Sequence, residues 1–526
     1  MNILITQGDR HFVRSLITAL MPEHSLRFFA SDFTEPLPDQ VATFTGDPRN
    51  PEDVKRAVTN TDTIIHLTPL TLATDAPDDL TALDLATRGS FVLMNAAREA
   101  GVTRMILAST LHLFDRLPTH WQVDERWRPR PTPLLTDLCP WLAELSFRES
   151  ARVGTMQVIC LRFGHLVDAE QMATQTPDAT WLHMADAVQG VQRALDYQNA
   201  KEPDWSIFHI TAPGERAKIR LHRQASADEA FGYRPTHEFS PRESAAAVST
   251  STHFWRTTLA PPHPVPSRPV RNVVIYGAGG PMGSVTTQEL LSSYTLRITD
   301  VRPIAELTAE AKPQAPGAPL PVPLEEPHEN VVVDIRDPAQ VMQSCADMDA
   351  IINCSVVRPH PADAFLVNTI GAYHVMRAAV AHGIRRIVHT GPLVQNMPSD
   401  APVYRWDYDI HVDAPARPLD HLYIHSKYLG QEICRIFAEY YDLEVPVLLF
   451  ASLVNPETAD HNHPFQISWA DTGRALRRAL EVTSLPSPYE MVNISADLPH
   501  GRFDHAKAQQ ILNWAPRDDL AHLWQD

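Results

Sequence analysis

Val273-Val274-Ile275-Tyr276-Gly277-Ala278-Gly279-Gly280-Pro281-Met282-Gly283 decides how the chain is read. An apolar run, Asn272–Tyr276, flows into glycines at 277, 280 and 283, and a helix-compatible run begins at Ser284. The pattern is a strand, a tight turn and a helix N-terminus. One glycine lets the chain turn, one lets the backbone touch a pyrophosphate, and one lets helix and strand pack closely. Free N–H groups at the positive end of the helix then receive the phosphates. A second apolar strand, Tyr294–Thr299, ends in Asp300. A carboxylate there accepts bonds from the adenosine ribose and repels a 2′-phosphate, which favours NAD over NADP. Arg302, two residues on, weakens that preference. The alternative reading is a glycine loop that only turns. The order strand, glycines, helix, strand, acid speaks against it.

The totals agree with a soluble α/β chain. Its 526 residues suggest two to four domains. A formal charge of −18 makes an extended nucleic-acid partner unexpected. No apolar run approaches membrane-spanning length. No basic leader with an apolar stretch precedes the core-like strand at Ile3, so a cytoplasmic location is expected. The five cysteines (139, 160, 345, 354, 434) form no CxxC pair and read as thiols in a reducing compartment.

The first half repeats the pattern in decayed form. Ile3–Thr6 leads into Gln7-Gly8-Asp9-Arg10-His11-Phe12-Val13, which keeps only Gly8. Arg10 and Val13 stand in the places of Gly280 and Gly283 and should block a pyrophosphate. Arg10 is either a solvated surface residue or a site for another anion. Asp62–Leu67 answers Asp349–Cys354, Ala96–Val102 answers Ala378–Ile384, and Arg148–Phe163 matches Arg435–Phe450 without a gap. One fold of about 250 residues used twice is the expectation. The expected domains are 1–239, a Pro/Ser-rich linker at 240–270, and 271–526. A second Pro-rich piece, Lys312–Pro327, reads as a surface excursion. Strands alternating with helices imply parallel sheets covered on both faces, with ligand at the carboxyl ends of the strands.

Tyr423-Ile424-His425-Ser426-Lys427 opens a helical run reaching about Tyr441. Residues four apart share a helix face, so Tyr423 and Lys427 point the same way. A neighbouring ammonium is expected to lower the tyrosine pKa and make it a usable acid-base group.

With these residues in place, both halves resemble extended short-chain dehydrogenase/reductases, the NAD-dependent epimerase/dehydratase family. The resemblance covers nearly the whole chain outside the linker. It rests on Gly277, Gly280, Gly283, Asp300, Asp334 before Ile335, Asn368 opening a helix, and Tyr423, Ser426 and Lys427. It implies two tandem Rossmann-like, doubly wound parallel sheets, each with a small C-terminal substrate-binding part. It implies that Asp334 and Ile335 flank an adenine, that Lys427 holds the nicotinamide ribose, and that Tyr423 passes a proton while NAD exchanges a hydride. Sugar nucleotides and related small molecules are the implied substrates. Because family members dimerise through two helices, the chain is expected to be its own pseudo-dimer through segments near 362–382 and 423–441 and near 80–100 and 139–153, with a further homo-oligomer left open.

The second half departs from the family at Pro392, where a serine or threonine hydroxyl is usual. Such a donor is worth about 2–4 kcal/mol of transition-state stabilisation. Thr390 or His389 either compensates or merely ends the strand. The first half keeps Ser109-Thr110 but has Thr136 and Pro140 in place of Tyr423 and Lys427, and Asp32 there is a lone acid. It should neither bind NAD in the usual pose nor catalyse. His461 and His463 lack a third ligand, so no metal is expected. Two functions follow: a second half that performs hydride transfer, or an NAD sensor or scaffold whose chemistry has been lost.

Overall fold

The computed structural model describes all residues except 33–35, 73–78, 118–122, 175–179, 199–204, 213–226, 238–259, 311–316, 397–410, 460–465, 499–503 and 524–526. The chain divides into two compact units, Met1–Ala260 and Pro261–Asp526. Most of the expected linker lies outside the described residues. Its end differs from expectation, because Pro261–Val270 belongs to the second unit. Val265 is buried there, and its N–H donates to the Tyr441 carbonyl at 2.8 Å. An apolar side chain among prolines found a surface to cover, which composition alone did not reveal.

Among the described residues, the first unit contains β1 (Asn2–Thr6), β2 (Ser25–Ala30), β3 (Ala42–Thr45), β4 (Thr63–His66), β5 (Arg104–Thr110), β6 (Gln157–Phe163) and β7 (Trp205–Ile210). They form one sheet in the order β3-β2-β1-β4-β5-β6-β7. The second unit contains β8 (Asn272–Tyr276), β9 (Thr295–Asp300), β10 (Glu329–Val332), β11 (Ala350–Asn353), β12 (Arg386–Pro392), β13 (Val445–Phe450) and β14 (Tyr489–Asn493). The order is the same, β10-β9-β8-β11-β12-β13-β14. Every pairing in both sheets is parallel. Both are Rossmann-like α/β sheets.

Burial explains the sequence runs. All of β11, β12 and β13 is buried, whereas edge strand β10 is almost entirely open. A parallel sheet with helices on both faces wants apolar side chains in both directions. On one face of the second sheet, Val273, Ile275, Ile352, Val388 and Leu448 share a core with Ala475, Leu476 and Ala479 of the helix Trp469–Glu481.

Four helices matter for the site: α1 (Arg10–Leu20), α2 (Leu135–Ala151), α3 (Pro281–Leu290) and α4 (Leu422–Tyr441). The third begins three residues earlier than Ser284, with Pro281 in its first turn. A missing N–H is harmless there, and the ring pre-sets φ. No described helix is long and apolar enough to cross a membrane. All five cysteines are buried and unbridged.

Candidate active site

The three motif glycines have three different physical reasons. Gly277 has φ +75°, and a Cβ there would meet the Ser355 nitrogen at 2.9 Å. Gly283 is the packing glycine. A Cβ on it would lie 2.5 Å from the Ala278 Cα and still closer to the Gly277 carbonyl oxygen. Gly280 faces open space, since only the Gly277 oxygen, at 3.5 Å, would touch an added methyl. Gly280 is also the N-cap of α3, and no side chain caps that helix. Open space beside uncapped N–H groups at a helix N-terminus is the arrangement a pyrophosphate needs.

A cavity of about 440 Å³ opens at this loop. Gly277, Gly280, Asp300, Asp334 and Ile335 all line it, at the carboxyl ends of strands on both sides of the β8–β11 switch point. The Asp300 carboxylate accepts the Gly279 N–H at 2.9 Å and its neighbour's, Val301, at 2.8 Å. Burial nevertheless pushes its pKa up, the two N–H groups pulling the other way. Asp334 is held by Arg336 through contacts of 2.7–3.0 Å, and Arg336 reaches on to Asp363 at 3.0 Å. The hydrogen bonds from Arg336 hold the Asp334 pKa below the usual carboxylate range. The lining also includes Gly279, Leu307, Cys354 and Ser355–Val357, which the sequence did not single out for this role. In the sequence Cys354 reads only as one of five reduced thiols. It is 7% exposed and contributes to both core and cavity wall.

Asn368 does not open a helix. It lies in a wide π turn, Leu366–Ile370, between Pro361–Phe365 and Gly371–Ala381. Its amide donates to the Val357 carbonyl at 2.7 Å and Ser426 Oγ at 2.9 Å and accepts the Val357 N–H at 3.1 Å. It therefore ties the cavity loop to the start of α4. The bulge is packed so tightly that a Cβ on Gly430 of α4 would strike the Asn368 carbonyl. A wide turn interrupting the helix is invisible to apolar periodicity.

Tyr423 and Lys427 occupy the first turns of α4, as their spacing predicts. Neither lines the cavity. Lys427 is 2% exposed and donates to the Ser355 carbonyl at 3.3 Å, which brings it to the cavity loop. Burial lowers its pKa to about 8. The expected depression of the tyrosine does not occur. Burial raises the Tyr423 pKa, and the charge that acts against this is Arg358, not Lys427. Arg358 lies over the phenol ring, 4.9 Å from its centroid. The four-residue spacing predicts the Lys427 ammonium as the neighbour that acts on the phenol. In the structure Lys427 turns to the Ser355 carbonyl, and Arg358 is the cation that acts on the ring. Arg358 carried no motif signal.

Residues 273–481 match the NAD dependent epimerase/dehydratase family. That match falls entirely within the second unit. A uronate dehydrogenase of Pseudomonas putida is 29% identical over 195 residues, 36% of this chain and 64% of that protein. The chain thus spans somewhat under two thirds of the length of that relative. An L-arabinose 1-dehydrogenase (NAD(P)(+)) of Haloferax volcanii is 25% identical over 271 residues, 47% of this chain and 97% of that protein. Among solved structures, a glucuronic acid dehydrogenase from Chromohalobacter salexigens is 25% identical and aligns over 48% of this chain and 86% of its own, with a TM-score of 0.39.

In the second unit, the end of β12 offers no free hydroxyl. Pro392 is buried, and Thr390 Oγ1 donates to the Asn353 carbonyl at 3.0 Å. His389 is 1% exposed, and burial together with Lys427 holds it neutral. Its Nδ1 lies 3.4 Å from the Asn353 amide, and its Nε2 has no partner among the described residues. Neither group is a ready replacement for a hydroxyl donor. Gln431, one turn beyond Lys427, is 2% exposed with its amide unpartnered among the described residues, and it abuts Gly391.

The first unit fills the corresponding space with charge. Ser109 Oγ donates to Glu144 at 2.5 Å, and Arg162 donates twice to the same carboxylate at 2.9 and 2.7 Å. Glu144 and Arg162 are each 2% exposed. The ungapped match places them where Gln431 and Leu449 stand. The hydroxyl at the end of β5 is thus consumed by an ion pair. At α1 the Asp9 side chain accepts the Phe12 N–H at 2.9 Å, so a carboxylate sits where a phosphate would otherwise bind. Arg10 is exposed and Val13 buried. Asp32 is exposed, and the neighbouring turn is closed instead by Gln7 Oε1, which accepts from Ser31. His461 and His463 lie outside the described residues. Among those described, no group of His, Cys, Asp and Glu could hold a metal ion.

Proposed function

We propose that the second unit binds NAD and exchanges a hydride with a hydroxyl or carbonyl carbon of a small, sugar-like substrate. The observation that carries this reading is the open, uncapped glycine loop at a cavity ending in Asp300. The named relatives, dehydrogenases of uronate and arabinose, support the substrate class. Gly277 and Gly280 would admit the pyrophosphate, Asp300 the adenosine ribose, and Asp334 and Ile335 the adenine, while Lys427, beside Ser355, would reach the nicotinamide ribose. NAD supplies the hydride acceptor when bound. Asn368 keeps the Ser355–Val357 loop against α4.

Burial keeps the Tyr423 hydroxyl protonated at neutral pH, so it acts first as a donor to the substrate oxygen. When that oxygen takes the proton, Arg358 stabilises the phenolate left behind. Oxidation runs the same transfer backwards. Gly391-Pro392 withholds a second donor, which favours slow turnover. It is also the observation behind the alternative, an NAD-binding sensor.

The shared strand order, the π turns Leu85–Gly89 and Leu366–Ile370, and an arginine bridging two acids in each unit (Asp47-Arg49-Asp84 and Asp334-Arg336-Asp363) support one fold used twice. The first unit is then a non-catalytic partner, its cofactor end closed by Asp9 and its catalytic end by Glu144 and Arg162. The domain limits, the pseudo-dimer and a cytoplasmic location belong to the same proposal.

Titration of the purified chain with NADH tests the reading. One NADH per chain, with Tyr423→Phe retaining NADH but losing at least about 100-fold in turnover, is expected. Two per chain would overturn the closed first unit, and unaltered turnover in Tyr423→Phe would remove the tyrosine from the mechanism.

A further inference from the structure

We propose that Arg358 selects an anionic substrate, a sugar carrying a carboxylate or phosphate in the same molecule as the reacting hydroxyl. The inference rests on the proposed hydride-transfer site and specifies its substrate class.

Arg358 is the residue after Val357, the last member of the loop that lines the cofactor cavity. It is exposed, and no carboxylate among the described residues pairs with it. The chain has 63 acidic against 45 basic side chains, and arginines such as Arg302, Arg336 and Arg435 each hold two carboxylates. Beside the proposed site, Arg358 bonds the Tyr423 side chain and no carboxylate among the described residues.

The geometry gives it a direction. The guanidinium lies over the Tyr423 ring, 4.9 Å from the centroid. A guanidinium carries five N–H donors in a fork that matches carboxylate or phosphate oxygens, so an exposed Arg358 keeps donors beyond its bond to Tyr423. An anion received there is within one small molecule's length of the Tyr423 hydroxyl. Lys427 is unavailable for this task, since it is buried and bonded to the Ser355 carbonyl. A neutral sugar would leave the fork unused.

The test is calorimetric titration of the NADH-saturated chain with glucuronate, glucose 6-phosphate and glucose, in the wild type, Arg358→Leu and Arg358→Lys. The wild type should bind at least one of the anionic sugars about 10- to 100-fold more tightly than glucose, the worth of a charge-assisted hydrogen bond. Preference for glucuronate marks a carboxylate site, and preference for glucose 6-phosphate a phosphate site. Arg358→Leu should abolish the preference, and Arg358→Lys should restore part of it. NADH affinity and melting temperature should stay at wild-type values in both variants. Equal binding of all three sugars, binding of neither anion, or an equal loss for all three in Arg358→Leu overturns the proposal. The last result would assign Arg358 to Tyr423 alone, and a weakened NADH affinity would assign it to the cofactor. Arg358-dependent anion binding with no turnover of any sugar would sink the hydride-transfer reading and leave anion selection standing.

Discussion

Alanine at Gly283 and alanine at Gly280 should do opposite things, although both sit in one motif. At 283 the new Cβ would lie 2.5 Å from the Ala278 Cα and 2.8 Å from the Gly277 carbonyl carbon. All the close atoms are backbone, so no rotamer can relieve the overlap. Carbon atoms need about 3.5 Å, so α3 must back away from the loop by roughly 1 Å. Overpacking of this kind costs about 1–3 kcal/mol, and the better helix propensity of alanine returns about 1 kcal/mol. A net loss of up to about 2 kcal/mol in a unit of this size lowers the melting temperature by up to roughly 8 °C. At 280 the nearest atom is 3.5 Å away, φ is −84°, and the lost N-cap glycine costs about 0.5 kcal/mol. That methyl projects into the space proposed for the pyrophosphate. The assay is thermal unfolding with and without saturating NADH, which stabilises the wild type by about 2.7 kcal/mol at a hundred times Kd. Gly283→Ala should melt early in the apo state. Gly280→Ala should melt near the wild type but lose most of the NADH shift. Equal apo melting of the two variants, or a full NADH shift in Gly280→Ala, would refute the division of labour.

Other outcomes follow from the buried charges. Lys427 has its pKa lowered from 10.5 to about 8 by burial, so between those values the unfolded chain binds more protons than the folded one. Stability should therefore rise with pH across that window, and below pH 8 the buried ammonium costs about 3 kcal/mol. Lys427→Met should be more stable than the wild type at pH 7, lose that rise above pH 8, and have no turnover. Identical pH–stability curves for the two proteins would show that the amine is not desolvated. In the first unit, Glu144→Gln leaves Arg162 charged and buried and should cost about 3–5 kcal/mol in urea unfolding. NADH affinity should remain that of the wild type. A weakened NADH affinity would place a cofactor site in the unit described here as closed.

Sequence alone was sufficient for the glycine loop, the strands around it, Asp300 and the helix bearing Tyr423 and Lys427. Each is local: the φ of Gly277, the proline opening α3, the apolar runs of β8 and β11 to β13, and the four-residue spacing on α4 act within a turn or a strand. The lack of the glycine triplet in the first unit was also legible, because Gly8 alone follows its first strand. The rest depended on residues far apart in the chain. Asn368 reads as the residue that opens a helix, and only the π turn that brings it to Ser426 and Val357 shows what it holds. Arg358 acquires its place only when a loop 65 residues before Tyr423 is folded over the ring. The sign of the Tyr423 pKa shift is likewise tertiary, since it is set by how completely water is removed and which cation remains nearby, and spacing along a helix specifies neither.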